Sequence, residues 1–351
     1  MKKLSVCRIA FIFAGSILGA GLVSGREIWQ FFGRFGKVGA VGLVLAMLLF
    51  MLLGAVILMT ANMAGTAEAD KVILPFESRF WGTAVGILQI AFLIGMTTIM
   101  TSGAGELINA LTGAPKWLMC LLVTLLVALT AFSGIDAAAS VFSLCVPIIA
   151  VASVIFAVIS VFCLGKARVE FDASKNSFFS FEWIAASLTY ASYNSYASLG
   201  VLCPFGKNIH DKKLILKGTA LGAVILIVIS GCILIALERY NSASLYGMPM
   251  LALADAVNPI LGYIYGVLLL LGLVQTAVAS LAAADTYITE KIKAAKRFKP
   301  LPLILISVIS FAFSLCGFSD LISTVYPAFG YVNALLTVSM LANFIRLKMK
   351  R

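Results

Sequence analysis

Two stretches of the chain carry residues whose types and spacing suit the binding of a small molecule. In the segment 187–198, nine of the twelve residues are Ser, Thr, Asn or Tyr. Their hydroxyl, amide and ring groups lead us to predict ligand contacts at Tyr193, Asn194, Ser195 and Tyr196. The segment 10–36 contains six glycines, at positions 15, 19, 21, 25, 33 and 36. Since glycine has no side chain, we expect the backbone at Gly19, Ala20 and Gly21 to approach the same ligand closely.

The residues needed for common catalytic and metal chemistry are scarce. The single histidine, His210, leaves Ser-His-Asp, Cys-His and His-rich metal constellations without partners. The seven cysteines show no CxxC spacing and mostly lie in apolar runs, which is typical of small core residues. There is also no HExxH motif. We therefore predict that the protein is not an enzyme and has no cofactor, and that its only metal is a possible Na⁺.

The composition indicates that lipid surrounds these segments. The chain is 62% apolar and 12% charged, whereas soluble domains average roughly 45–50% and about 25%. A membrane-spanning helix needs about 20 mostly apolar residues. We predict an all-α membrane protein with ten transmembrane helices, at approximately 9–34, 38–62, 81–110, 117–134, 138–165, 182–203, 214–238, 260–288, 301–317 and 320–346. The connectors are too short for a soluble domain, so residues 1–351 form one transmembrane domain.

The lysines and arginines predict the orientation. With the N terminus inside, 18 of the 26 basic residues fall on the inner side and 8 on the outer side. This bias places both termini in the cytoplasm and the protein in the cell membrane, with the lipid bilayer as its partner and no nucleic acid. A signal peptide at 2–21 is the alternative, but it would leave nine spans and weaken the charge bias.

The first and sixth spans differ from the other eight. Glycines interrupt the first span, and the sixth is too polar to face lipid, so we predict that both are buried and unwound near mid-membrane. Each opens one set of five spans, which suggests inverted repeats at approximately 8–165 and 181–346. Interrupted spans at matching places in two halves point to a transporter binding site. The alternative is that the glycines only allow close helix packing.

The segment Gly19–Gly36 resembles the opening motif of the YkvI-type membrane proteins, which belong to the amino acid–polyamine–organocation superfamily. This resemblance implies a LeuT-like fold, a 5+5 inverted repeat with broken helices 1 and 6, and transport by alternating access. Because no charged residue sits clearly at the midplane, we expect a small zwitterionic substrate.

Na⁺-coupled members of this superfamily combine first-helix carbonyls with hydroxyls of the eighth helix. By this resemblance, the ion site comprises the carbonyls near Gly15 and Leu18 with Thr276 and Ser280. Proton-coupled members carry a lysine on the fifth helix. No lysine occurs at 138–165, which mildly favours Na⁺. Glu106 is the alternative proton carrier, and back-bonding to the helix backbone is the alternative role for both hydroxyls.

Four charged residues are candidates for gates. We predict that Arg8 meets Asp285 at the inner side and that Arg26 meets Asp320 at the outer side, although structural ion pairing is equally compatible with these positions. The external segment 245–259 is amphipathic and suggests a short helical lid.

These features together predict a secondary active transporter for a small amino-acid-like solute, coupled to Na⁺ or H⁺. A passive channel or facilitator for a small solute is the alternative hypothesis, and an intramembrane enzyme is the least favoured one.

Overall fold

The computed structural model describes residues 5–66, 68–76, 78–132, 135–165, 181–291 and 300–350, which form helices and connecting turns without strands. The first half contains α1 (Val6–Gly15), α2 (Ala20–Val23), α3 (Arg26–Phe31), α4 (Lys37–Ala64), α5 (Ala69–Ile73), α6 (Arg79–Thr112), α7 (Lys116–Phe132) and α8 (Ile135–Cys163). The second half contains α9 (Glu182–Gly206), α10 (Lys212–Arg239), α11 (Pro249–Val257), α12 (Pro259–Lys291), α13 (Pro300–Ser314) and α14 (Phe318–Met349).

Each of the ten predicted spans coincides with a helix or, for the first span, with the three consecutive pieces α1 to α3. Among the described residues, five helices are long and apolar enough to cross a membrane by themselves, namely α4, α6, α10, α12 and α14. The other apolar helices are shorter, and α9 is too polar to stand out by composition. The all-helical membrane fold is therefore confirmed, and ten spans are consistent with it.

Helix lengths repeat between the two halves. The second and seventh spans, α4 and α10, have 28 residues each, and the third and eighth, α6 and α12, have 34 and 33. The short fourth and ninth spans, α7 and α13, have 17 and 15. The matched lengths support a five-plus-five arrangement, while the division into repeats at 8–165 and 181–346 stays a prediction.

The first span is interrupted twice. The first break separates α1, which ends at Gly15, from α2, which Gly19 precedes in an extended conformation with φ −96° and ψ 169°. The second break is a left-handed turn at Gly25, with φ +80°, between α2 and α3. A residue with a Cβ atom is strained at this φ, and the atom would also collide with Met250. The predicted interruption of the first span is confirmed.

The expected interruption of the sixth span is wrong, because α9 is one continuous helix of 25 residues. Several of its polar side chains donate hydrogen bonds to carbonyl oxygens of the same helix. Ser187, Asn194 and Ser195 each donate a hydrogen bond to the carbonyl oxygen four residues earlier, at distances of 2.6–3.0 Å. No glycine occurs between 182 and 199 to weaken the helix. The polarity of this segment is therefore compatible with an intact, buried helix.

Candidate functional site

A cavity of about 1080 Å³ lies between α1, α8, α9, α10 and α12, and it reaches the first break of the first span. Arg8 lies in its wall near the start of α1. The break contributes Gly15, Ser16 and Leu18, and α12 contributes Gln275. Most of the remaining wall is apolar. The cavity therefore connects the N-terminal end of α1 with the unwound backbone.

The break exposes backbone oxygens that the helices do not use. In the described part of the chain, the carbonyl oxygens of Gly15, Ser16 and Leu18 accept no backbone hydrogen bond. Opposite them, the Thr276 hydroxyl oxygen lies 3.9 Å from the place where a Cβ atom of Gly19 would stand. Thr276 thus faces the first break, and the ion site itself stays a prediction.

The two hydroxyls of the predicted ion site both lie on α12. Thr276 donates a hydrogen bond of 2.9 Å to the carbonyl oxygen of Gly272, so the back-bonding alternative is realised for its proton. Its oxygen atom can still accept, and it lies 3.9 Å from the place where a Cβ atom of Gly19 would stand. Ser280 lies one turn further along α12 and is 8% exposed. A cation at the break would meet carbonyl and hydroxyl oxygens, which are the ligands that hard cations prefer.

Hydrogen bonds from two later elements hold the second break in place. The hydroxyl of Tyr265, a fully buried residue of α12, donates to the carbonyl oxygen of Val23 at 2.6 Å. The same hydroxyl lies 2.9 Å from the Ser153 hydroxyl of α8. The N–H group of Met250 donates to the carbonyl oxygen of Ser24 at 2.9 Å. The predicted lid segment therefore contains a short helix, α11, that is docked on the first span.

Sequence reasoning missed the most deeply buried carboxylate near this site. The Glu27 side chain is 6% exposed, and its Oε2 atom accepts a hydrogen bond of 2.5 Å from the Tyr193 hydroxyl. Its Oε1 atom contacts Gly21, where an added Cβ atom would overlap the carboxyl group. Tyr193 is near the middle of α9, so the expectation that no charged residue sits near mid-membrane is corrected.

Aromatic rings surround the Glu27 carboxyl group. The rings of Tyr193 and Tyr326 pack with centroids 4.9 Å apart, and the Tyr326 hydroxyl faces the same carboxyl. Tyr190 packs edge-on against Tyr193 at 5.4 Å, and Phe31 lies 5.2 Å from Tyr190. We call Glu27, Tyr190, Tyr193 and Tyr326 the carboxyl–tyrosine cluster. It joins the first span to α9 and α14.

The seven predicted substrate contacts do not converge. Gly19 borders the break, Ala20 is buried beside Gly272, and Gly21 and Tyr193 meet at Glu27. Because α9 is helical, its next three polar residues turn away from this point. Asn194 and Ser195 bond to their own helix, and the Tyr196 hydroxyl donates to the carbonyl oxygen of Val85 on α6 at 3.2 Å.

Neither of the two predicted gate pairs is formed between described residues. Among the described residues, no ion pair joins Arg8 to Asp285 or Arg26 to Asp320. The Asp285 Oδ1 atom is buried without a hydrogen-bond partner in the part of the chain that the structure describes. Arg26 donates to the carbonyl oxygen of Ser244 at 3.1 Å, with Asp320 among its acidic neighbours.

Two contacts stabilise the negative charge of the Glu106 carboxylate where it lies. Its Oε2 atom accepts a hydrogen bond of 3.1 Å from the N–H group of Phe318, at the start of α14. The same atom lies 3.5 Å from the Nζ atom of Lys116. A carboxylate at a helix N terminus is favourable there. Its predicted role as a proton carrier remains a prediction.

A second cavity, of about 570 Å³, lies between α3, α9 and α14. Its wall includes Arg26, Arg34, Glu182 and Tyr331, together with Phe31. Because Phe31 also packs on Tyr190 and Tyr193, this ring separates the second cavity from the carboxyl–tyrosine cluster.

Comparison with known proteins gives two curated relatives. The chain is 26% identical over 337 residues to "Uncharacterized membrane protein YkvI" of Bacillus subtilis (strain 168), covering 95% of this chain and 94% of the relative. It is also 26% identical over 335 residues to "Uncharacterized protein YyaD" of the same organism, covering 94% of each. No family model matches the chain. The resemblance to YkvI-type membrane proteins is confirmed.

Solved structures of transporters share the fold. The inward-facing conformation of Mhp1 matches with a TM-score of 0.71 and 14% identity, covering 97% of this chain and 76% of that one. MhsT in complex with L-phenylalanine matches at 0.63 and 15%, covering 96% and 91%. A Na⁺-coupled sialic acid symporter matches at 0.60 and 12%, covering 98% and 78%. The chain therefore has the LeuT-like fold, and these neighbours are transporters rather than enzymes.

Proposed function

We propose that this protein is a secondary active transporter that moves a small zwitterionic, amino-acid-like solute across the cell membrane by alternating access. The observation that carries the proposal is the first break, whose residues Gly15, Ser16 and Leu18 line the 1080 Å³ cavity and have carbonyl oxygens that accept no backbone hydrogen bond in the described part of the chain. Irregular backbone at membrane depth is tolerated where it lines such a space. The carbonyl oxygens of the first break suit an ammonium group of the solute.

Two of the fold neighbours support this class of solute by their ligands. MhsT was solved with L-phenylalanine, and another neighbour is a symporter of sialic acid. Both solutes are small and carry a carboxylate. Na⁺ is one candidate for the coupling ion here, since the sialic acid symporter is Na⁺-coupled and Thr276 faces the first break.

The cavity and the charged residues support a conformation open toward the N-terminal end of α1. Arg8 lines the cavity and forms no ion pair among the described residues. In the opposite conformation, the inner gate would close when Arg8 meets Asp285. With the predicted orientation, the present opening faces the cytoplasm.

The test is uptake of a labelled amino-acid panel into proteoliposomes, with a Na⁺ gradient, a pH gradient or neither. We expect saturable accumulation of at least one solute that depends on a gradient. Equilibration without saturation would instead indicate a channel, and no uptake of any member would contradict the solute class.

Gly19→Ala is a variant that the fold should tolerate, because the added Cβ atom would have only ordinary contacts of 3.7 Å and more. It would nevertheless fill the space between the break and Thr276. We expect roughly tenfold lower uptake, equivalent to about 1.4 kcal/mol of lost binding. The matched control is Gly200→Ala on α9, where no atom lies within 4 Å of the added Cβ atom. Thr276→Ala should remove any Na⁺ dependence, and Thr276→Ser should retain it.

A further inference from the structure

We infer that Glu27 is a proton-binding site of the transport cycle, loaded with a proton in the conformation seen here and emptied when the first span separates from α9 and α14. This inference deepens the proposed function, on which its transport arm rests.

No ion pair compensates the Glu27 carboxyl group in the part of the chain that the structure describes. The titratable groups that face it are the hydroxyls of Tyr193 from α9 and Tyr326 from α14, with Tyr190 nearby. From α2 it contacts Gly21, and α10 presents the apolar Leu237 beside Gly25. An ionised carboxylate buried without a cation is strongly disfavoured.

The hydrogen-bonding capacity of the cluster fits a protonated carboxyl group. One oxygen, Oε2, accepts the proton of Tyr193. The Tyr326 hydroxyl faces the same carboxyl group and has no other partner among the described residues, and a tyrosine hydroxyl can accept a bond from a carboxyl O–H group as well as donate one. A neutral carboxyl group can both accept and donate, whereas a carboxylate can only accept.

The packing leaves room for a proton but for nothing larger. Gly21 lies directly against Oε1, and aromatic rings enclose the opposite side. Neither large cavity includes Glu27 in its wall. A metal ion or a substrate ammonium group would need the cluster to open, and a bound proton does not.

The position of the cluster allows access from two sides in turn. On one side, Gly21 belongs to the same short helix that follows the first break, next to the 1080 Å³ cavity. On the other side, Phe31 lines the 570 Å³ cavity and packs against Tyr193 of the cluster. Movement of α2 and α3 relative to α9 would break the Tyr193 bond and let the proton pass from Glu27 to water. The contact with Gly21 links this event to the candidate substrate site.

Infrared spectroscopy of the full chain in lipid tests the proton directly and needs no substrate. At neutral pH we expect a C=O band of a protonated carboxylic acid that disappears in Glu27→Gln. The band should shift to higher wavenumber in Tyr193→Phe, because the carbonyl loses a hydrogen bond. The control is Glu106→Gln, which removes a carboxylate paired with Lys116 and should leave the band unchanged. Loss of a carboxylate band in Glu27→Gln, with the C=O band intact, would overturn the inference.

A transport assay is the second test of the proton role of Glu27. With a solute that the wild type accumulates on a pH gradient, Glu27→Gln should still exchange internal for external solute, but its pH-driven accumulation should fall to equilibration. Accumulation equal to that of the wild type would contradict the proton role. A wild type that transports no solute would contradict the proposed function alone, since the infrared result stands without it.

Discussion

At the scale of single residues, the sequence identified Gly21 as a candidate substrate contact but gave no sign that Glu27 lies against it. In a straight helix, side chains meet those three or four positions away, whereas Glu27 reaches back six residues to Gly21. The left-handed turn at Gly25 makes this contact possible by redirecting the chain after α2. The glycines were visible in the sequence, but the direction of the chain after them was not.

The contact between Gly21 and Glu27 predicts the effect of a small substitution. Gly21→Ala should lower the free energy of unfolding by about 1–3 kcal/mol, since the new Cβ atom overlaps the buried carboxyl group. The measurement is thermal unfolding of the purified protein in detergent. Gly200→Ala, in open space on α9, should show no loss. In a Glu27→Ala background the cost of Gly21→Ala should largely disappear, and an undiminished cost there would show that the overlap is not the cause.

At the scale of elements, composition distinguished the unusual helices but not their geometry. The first span and α9 were both expected to unwind, and only the first does. Glycine weakens a helix because it allows many other conformations. Serine and asparagine can instead donate to the preceding turn and leave the helix intact, as Ser195 does with Ala191. Polarity indicated burial correctly, and it carried no information about unwinding.

The broken element depends on its neighbours for its hydrogen bonds, and Tyr265 is the residue that shows this. Tyr265→Phe should destabilise the protein by about 1–3 kcal/mol, because the buried carbonyl oxygen of Val23 loses its donor. Tyr263→Phe is the matched control on the same helix, since Tyr263 is 58% exposed. Thermal unfolding of both variants checks the prediction. Equal melting temperatures for the two would mean that this bond does not hold the second break in place.

At the scale of the whole molecule, each predicted span matches helix bounds of the structure to within a few residues, and the charge bias remains the guide to orientation. The number and lengths of the helices follow from how many apolar residues cross a bilayer. The cavity does not follow from such counting, because α1, α8, α9, α10 and α12 meet there through long-range packing. For the same reason the sequence could pair gate residues but could not show that Arg8 and Asp285 are apart in this conformation.

Accessibility from one side of the membrane tests the orientation and the open cavity together. In a background whose seven cysteines are replaced by alanine, Ser16→Cys places a thiol in the cavity wall. We expect a charged, membrane-impermeant thiol reagent to label it in inside-out vesicles and not in right-side-out vesicles. Ser24→Cys is the control, since Ser24 lies beyond the first break and is 0% exposed, and we expect no labelling from either side.

Three outcomes of this experiment have different meanings. Labelling of Ser16→Cys from the inner side alone agrees with the 18-to-8 distribution of basic residues and with an inward-open cavity. Labelling only in right-side-out vesicles would reverse the topology. Reaction with an apolar maleimide but with no charged reagent would show that lipid fills the cavity through its apolar wall, where Val151 and Val228 are more than half exposed. In that case the first break would lack the water path that alternating access requires.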